Sequence, residues 1–136
     1  MKNFSLTLFT FLTVVMLGAC GGGKNAGFGG GTSEVTLAPT TMTFTAETVG
    51  LISDAQTLTL TNSGAVTLHI TNIASANNDF SSDSTACGAT LAPSASCVIS
   101  VTFTPTQAGA LTGTITVTDD APNSPQTVAL TGTGTD

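Results

Sequence analysis

In 136 residues the chain carries eight acidic side chains against two lysines and no arginine, a net charge of −6, with charged residues at 7% of the composition. So few cations cannot neutralise a run of phosphates, which excludes nucleic-acid binding, and they cannot dock the chain electrostatically on anionic lipid. Charge falls far below the ~25% usual for globular domains, so solubility rests on hydroxyls and amides, chiefly threonine and serine.

The N-terminus has the three zones of an export signal: Lys2, an apolar stretch over residues 4–17, then the small residues Gly18 and Ala19 before Cys20. The apolar stretch is shorter than the ~18–20 residues that span a ~30 Å hydrocarbon core as a helix. Ser5, Thr7, Thr10 and Thr13 make it less hydrophobic still. Alternatives are an uncleaved anchor, a buried strand, or ordinary cleavage that leaves Cys20 a plain thiol. The tetrad Leu17-Gly18-Ala19-Cys20 resembles the processing site of bacterial lipoproteins. The resemblance implies that residues 1–19 are a signal peptide and that Cys20 becomes the first mature residue. It also implies a diacylglycerol on the Cys20 thiol, often with a third acyl chain such as palmitate on its amine. Two or more chains hold stably to the bilayer where one binds marginally. Gly21, rather than aspartate, follows the cysteine, as in lipoproteins sent to the outer membrane. The expected location is the bacterial cell envelope, at the outer membrane or cell surface rather than the inner membrane.

Residues 20–34 read as a lipidated cysteine and a glycine-rich linker; from Gly21 to Ser33 the only large apolar side chain is Phe28. A coil of this kind spans roughly 20 Å, enough to let a domain clear the headgroups. A phosphate-cradling loop would need a strand before the glycines and a helix after, and the sequence offers neither. Loss of residues 1–19 leaves Lys24 alone against the eight carboxylates, a net charge of −7.

Beyond residue 34 the period is two. Met42 and Phe44 alternate with Thr41, Thr43 and Thr45, and Leu58 and Leu60 with Thr57, Thr59 and Thr61. Val66, Leu68 and Ile70 form a third run, and Ile99, Val101 and Phe103 a fourth. Leu111, Ile115 and Val117 share a face opposite four threonines, and Val128 with Leu130 close the series. This is the signature of half-buried antiparallel strands, and no stretch has helical spacing. Asn62, Ser63 and Gly64 suit a tight turn with positive φ, Gln107 to Gly109 another, and residues 119–125 a longer polar turn closed by Pro125. Gly113 falls on the inward face, where Phe44 or Phe103 is expected to fill its space. The pattern predicts an all-β, two-sheet sandwich.

A core without tryptophan or tyrosine gains from a covalent staple, and Cys87 with Cys97 is expected to supply a disulfide in an oxidising envelope. A metal pair or free thiols are the alternatives; a structural zinc needs four ligands, and the single histidine, His69, faces solvent by alternation. No metal or other cofactor is expected. Asp119 and Asp120 beside Asn123, or Asp79 with Asp83, have oxygens that suit Ca²⁺, but such pairs in turns more often cap the backbone. His69 has no nearby nucleophile or carboxylate in sequence, and no serine or threonine has an evident oriented base, so no catalytic residue is assigned and the chain reads as a non-enzyme.

Several segments carry a family resemblance together: Leu58-Thr59-Leu60-Thr61-Asn62-Ser63-Gly64, Asp79-Phe80, Cys87-Gly88-Ala89-Thr90-Leu91-Ala92-Pro93, Ser96-Cys97-Val98-Ile99-Ser100-Val101-Thr102-Phe103-Thr104-Pro105 and Ala121-Pro122-Asn123-Ser124-Pro125-Gln126. In order and spacing they resemble the abnormal-spindle/Hydin-type immunoglobulin-like domain, in its bacterial version called choice-of-anchor D. The resemblance spans residues 35–134 and implies a seven-stranded immunoglobulin-like sandwich related to the major sperm protein fold. Cys87 and Cys97 match a cysteine pair common in bacterial members. The family brings no catalytic motif, and fold alone does not fix function. The expected role is a membrane-held, non-catalytic binding or scaffold module. Its partners are the lipid bilayer through Cys20 and an envelope or extracellular protein or a glycan; the alternative is a purely structural surface lipoprotein. Intact mass of the membrane-extracted protein is expected to show a chain that begins at acylated Cys20, and an unmodified Met1 start would contradict the leader reading.

Overall fold

The computed structural model describes residues 31–136, so the expected signal peptide, the expected lipidation site Cys20 and the linker up to residue 30 lie outside the described residues. Ten strands and no helix make up the described chain: β1 Val35–Ala38, β2 Thr41–Thr43, β3 Glu47–Thr48, β4 Gln56–Asn62, β5 Leu68–Ser75, β6 Phe80–Asp83, β7 Thr90–Leu91, β8 Ser96–Phe103, β9 Gly109–Asp119 and β10 Gln126–Thr135. One sheet runs β1-β4-β8-β6; the other runs β2-β10-β9-β5-β7, with β3 also on β10.

The expected seven-strand plan is present, with its first strand broken into three. β1 pairs antiparallel with β4, whereas β2 and β3 pair parallel with β10 in the opposite sheet. The break falls at Pro39, which has no N–H to give a ladder and is tolerated at such an edge. The two-residue β7 is a short addition outside β5.

The alternation read from sequence maps onto the two inner faces. Met42, Phe44, Leu58, Leu60, Ile99, Val101, Phe103, Leu111, Ile115, Val117, Val128 and Leu130 are all buried. The outward partners on β10, Thr127, Ala129, Thr131, Thr133 and Thr135, are exposed. The third run departs from expectation. β5 begins at Leu68, not Val66, which lies exposed in the preceding turn. A bulge between Ile70 and Asn72 then shifts the phase against β9, leaving Ile70 and Ile73 only partly buried.

Phe80 sits at the centre of the core although its short strand shows no alternation. Its ring stacks on Phe103 at 4.8 Å between centroids, and Phe44 tilts against both at 5.7 and 5.8 Å. Two glycines make room for these rings. A Cβ on Gly113 would lie 2.6 Å from Phe80 Cδ2, so Phe80, and not Phe44 or Phe103, fills that recess. A Cβ on Gly132 would lie 2.6 Å from two atoms of the Phe103 ring. Gly113 faces Leu130 across the β9–β10 ladder, and Gly132 faces Leu111. Each recess is therefore bordered by a large side chain.

The turn after β4 also differs from expectation. Positive φ occurs at Ser94, Gly50 and Gly109, but not at Asn62, Ser63 or Gly64. Asn62 instead ends β4 fully buried. Its Nδ2 donates to the carbonyls of Val66 (2.8 Å) and Leu91 (3.0 Å), and its Oδ1 accepts from the Gly64 N–H (3.0 Å). Gly64 is required by proximity: a Cβ there would meet the backbone of residues 32–34. Those three residues lie against the turn, where Ala65 N–H donates to Thr32 O and Ser63 N–H to Glu34 O. The turn at Gln107 to Gly109 does use positive φ, at Gly109.

Gly132→Ala is expected to destabilise the domain by about 1–3 kcal/mol in urea unfolding, the usual cost of overpacking, with partial recovery when Phe103→Leu is added. An unchanged midpoint would show that the Phe103 ring does not depend on this recess.

Candidate functional site

Cys87 and Cys97 are joined, with Cα atoms 5.2 Å apart. Cys97 is buried on β8 opposite Leu60. Cys87 lies in the loop between β6 and β7 and packs against the core from the side. The bond fastens this long loop to the start of a central strand, and it occupies both thiols.

The carboxylates that suited calcium are each engaged in shaping turns. Asp79 Oδ1 accepts from the N–H (2.9 Å) and hydroxyl (2.7 Å) of Thr106. Asp119 Oδ1 accepts from the Ala121 N–H, and Asp120 Oδ1 from the His69 N–H, both at 2.9 Å. Asn123 Nδ2 donates to Val35 O at 3.0 Å and so ties the β9–β10 loop to β1. Asp83 accepts from the Thr85 N–H at 2.9 Å. That bond, followed by the Thr85 hydroxyl, holds the Asp83 carboxyl below its ordinary value of 3.8. A depressed folded-state value means the stabilisation is in place above the ordinary value and is lost as pH falls through the lowered one. Among the described residues no three His, Cys, Asp or Glu side chains converge on a common point. His69 is exposed on β5, and it meets Asp120 through its backbone N–H and C=O.

These bonds organise the two ends of the sandwich. At one end residues 32–34, the β4–β5 turn and the loop over residues 119–125 meet; Ser33 is buried and its hydroxyl donates to Asp120 O at 3.5 Å. A hollow of about 230 Å³ opens there between residues 32–34 and Pro122 and Asn123. Residues 32–34, at the start of the described chain, are bonded in at this end. β10 runs from it to the opposite end, where the loop over residues 104–108 bonds to Asp79 on one side and to Gly50 on the other.

The side of the sandwich holds an opening that sequence reasoning missed. β5 pairs with β9 over Ile70 to Ser75, but on its other side β7 pairs only with Leu68 and His69, and cover ends where the Ile70 N–H donates to Ala89 O at 2.9 Å. Ala76 N–H donates to Thr114 O at 2.9 Å, in line with the ladder that pairs Ala74 with Thr116. Bonded and non-bonded pairs alternate along an antiparallel ladder. Ile73 and Ser75 therefore direct their N–H and C=O away from β9, where no strand among the described residues accepts them. The only signal in sequence was a negative one: residues 72–78 are small and polar apart from Ile73 and lose the apolar period.

The model for the family described as Cep192 domain 4 matches residues 33–135. Among curated proteins there is no significant match. Among solved structures, the human CEP192 domain titled ASH / PapD-like domain (PapD-like domain 7) is similar at 16% identity and a TM-score of 0.63, covering 77% of this chain and 87% of that one. SSP-19 of Caenorhabditis elegans, titled an MSP-domain protein like family member, is similar at 20% identity and 0.53, covering 72% and 98%. The VesB protease of Vibrio cholerae is similar at 17% and 0.56, covering 77% of this chain but only 32% of that one. All three likenesses concern the fold. Replacing Cys87 and Cys97 by serine is expected to cost about 2.5–3 kcal/mol in chemical unfolding, the chain entropy of a loop of this size; no loss would mean that the reduced loop is ordered without the bond.

Proposed function

This chain belongs to the Cep192 domain 4 family, and on that premise we propose that it is a non-catalytic protein-binding module carried on a bacterial envelope lipoprotein. In its finer features it is the bacterial Hydin-type form of the fold. The open backbone edge of β5 carries the binding half of this reading. Ile73 and Ser75 offer outward amides and carbonyls beside exposed Asn72, and an extended peptide can add to such an edge as a further strand. Backbone pairing of this kind suits a protein partner and gives a glycan no comparable ladder.

The Leu17-Gly18-Ala19-Cys20 tetrad supports the other half, with acylated Cys20 as the anchor. The glycine-rich linker enters at the end of the sandwich formed by residues 32–34, so a tethered domain holds that end toward the membrane. The protease likeness does not extend to activity: this chain covers a third of that protein, and the carboxylates and His69 here serve turns and solvent.

Ser75→Pro tests the edge. Proline there removes an outward donor without touching the β5–β9 bonds, and edge strands tolerate it. The variant, as full chain, is expected to fold with an unchanged unfolding midpoint and to capture its envelope partner about tenfold more weakly. Equal capture by the variant and the parent chain would reject strand addition at β5.

A further inference from the structure

Among the described residues, Leu51 and Ile52 are the most exposed large hydrophobic side chains, at 59% and 67%, and Val49 beside them stands at 37%. They are consecutive or nearly so in a loop between β3 and β4, whereas the other exposed large hydrophobics, Val66 and Val98, stand singly. The loop is fixed in place. Val49 N–H donates to Thr135 O, Gly50 N–H to Pro105 O, Leu51 N–H to Thr48 O and Ser53 N–H to Phe103 O, all within 2.8–2.9 Å. The buried Ser53 hydroxyl accepts from the Phe103 N–H at 3.0 Å and donates to Asp54 O at 2.9 Å. Gly50 takes φ +83° to make the bend, a conformation that costs glycine little. An apolar tip held by these six bonds to backbone groups loses little freedom when it is covered, the condition for efficient docking.

The tip lies at the end of the sandwich reached by the C-terminal part of β10, opposite the end where residues 32–34 enter. Glu47 precedes it and Asp54 follows it, and the described residues contain no lysine or arginine. An anionic bilayer repels such a surface. A second copy would bring the same carboxylates against each other.

We infer that residues 49–52 form a docking knob for a protein that presents an apolar recess bordered by lysine or arginine. The reading is independent of strand addition at β5, and it goes beyond it in naming where and to what chemistry the free end of the domain binds. Glu47 and Asp54 then set orientation and rate of encounter through the basic border, while Leu51 and Ile52 supply the affinity.

A photoreactive benzophenone amino acid at Ile52 of the full chain, irradiated in living cells, tests this, with the same group at exposed Thr133 as control. The expected adduct forms from position 52 and not from 133, and the peptide it labels is apolar with flanking lysine or arginine. The labelled protein, once purified, is expected to bind the parent chain with salt-sensitive affinity, and at least about thirtyfold more weakly when Leu51→Ser and Ile52→Ser are combined. Both side chains are exposed, so the double variant keeps the parent unfolding midpoint. An adduct on phospholipid, on a second copy of this chain, or equally from both positions overturns the inference, as does an affinity indifferent to the two serines or to salt. Ser75→Pro leaves the knob intact, so failure at the β5 edge and failure here are told apart.

Discussion

The sandwich depends on three phenylalanine rings set against two glycines. Phe80 and Phe103 stack from one sheet toward Gly113 and Gly132 on the other, and Phe44 closes the group from the β2 side. With no tryptophan or tyrosine in the chain, these rings supply the largest buried side chains available to hold the sheets together. Aromatic pairs add roughly 0.5–1.5 kcal/mol beyond the area they bury, but only if the facing backbone leaves them room. The glycines therefore act on packing: they thin β9 and β10 where the rings arrive, while Leu111 and Leu130 across the ladder fill the flanks.

Around that centre the remaining constraints are polar and lie at the ends. The buried Asn62 joins the β4–β5 turn to β7, Asp79 and Asp119 bond to the loops over residues 104–108 and 119–125, and Asp120 bonds to the start of β5. With no lysine or arginine among the described residues, the carboxylates find backbone N–H groups and hydroxyls in place of cations. The acidic composition is thus partly structural. The same economy leaves the outer face of β10 to threonine and alanine, hydroxyl and methyl, with no charge on it.

The two ends differ in character, and the proposed function follows from that difference. Residues 32–34 are bonded into one end, where the linker arrives. The other end displays Val49, Leu51 and Ile52 on a rigid loop. Between them β5 exposes backbone that β7 is too short to cover. Under the proposed tethering, the free end and one side remain available for backbone pairing and apolar contact.

The sequence by itself determined the all-β class and the inward set on most strands, because strand periodicity is local and the sandwich has one polar and one apolar side to each sheet; it offered the Cys87–Cys97 disulfide beside a metal pair or free thiols, and the structure joins the two. It also placed the turn at Gly109, where a glycine adopts positive φ. Tertiary structure decided what local pattern cannot carry. Phe80 became central because Gly113, far away in sequence, leaves space for it; Gly64 is needed because residues 32–34 pass close by, not for its φ; and around the bulge in β5, Ile70 and Ile73 pack only partly buried against the core. The open edge and the apolar tip belong to the same class. An edge exists only where no neighbouring strand arrives, and Leu51 and Ile52 are exposed only because long-range bonds to Thr135, Pro105 and Phe103 hold their loop at the surface.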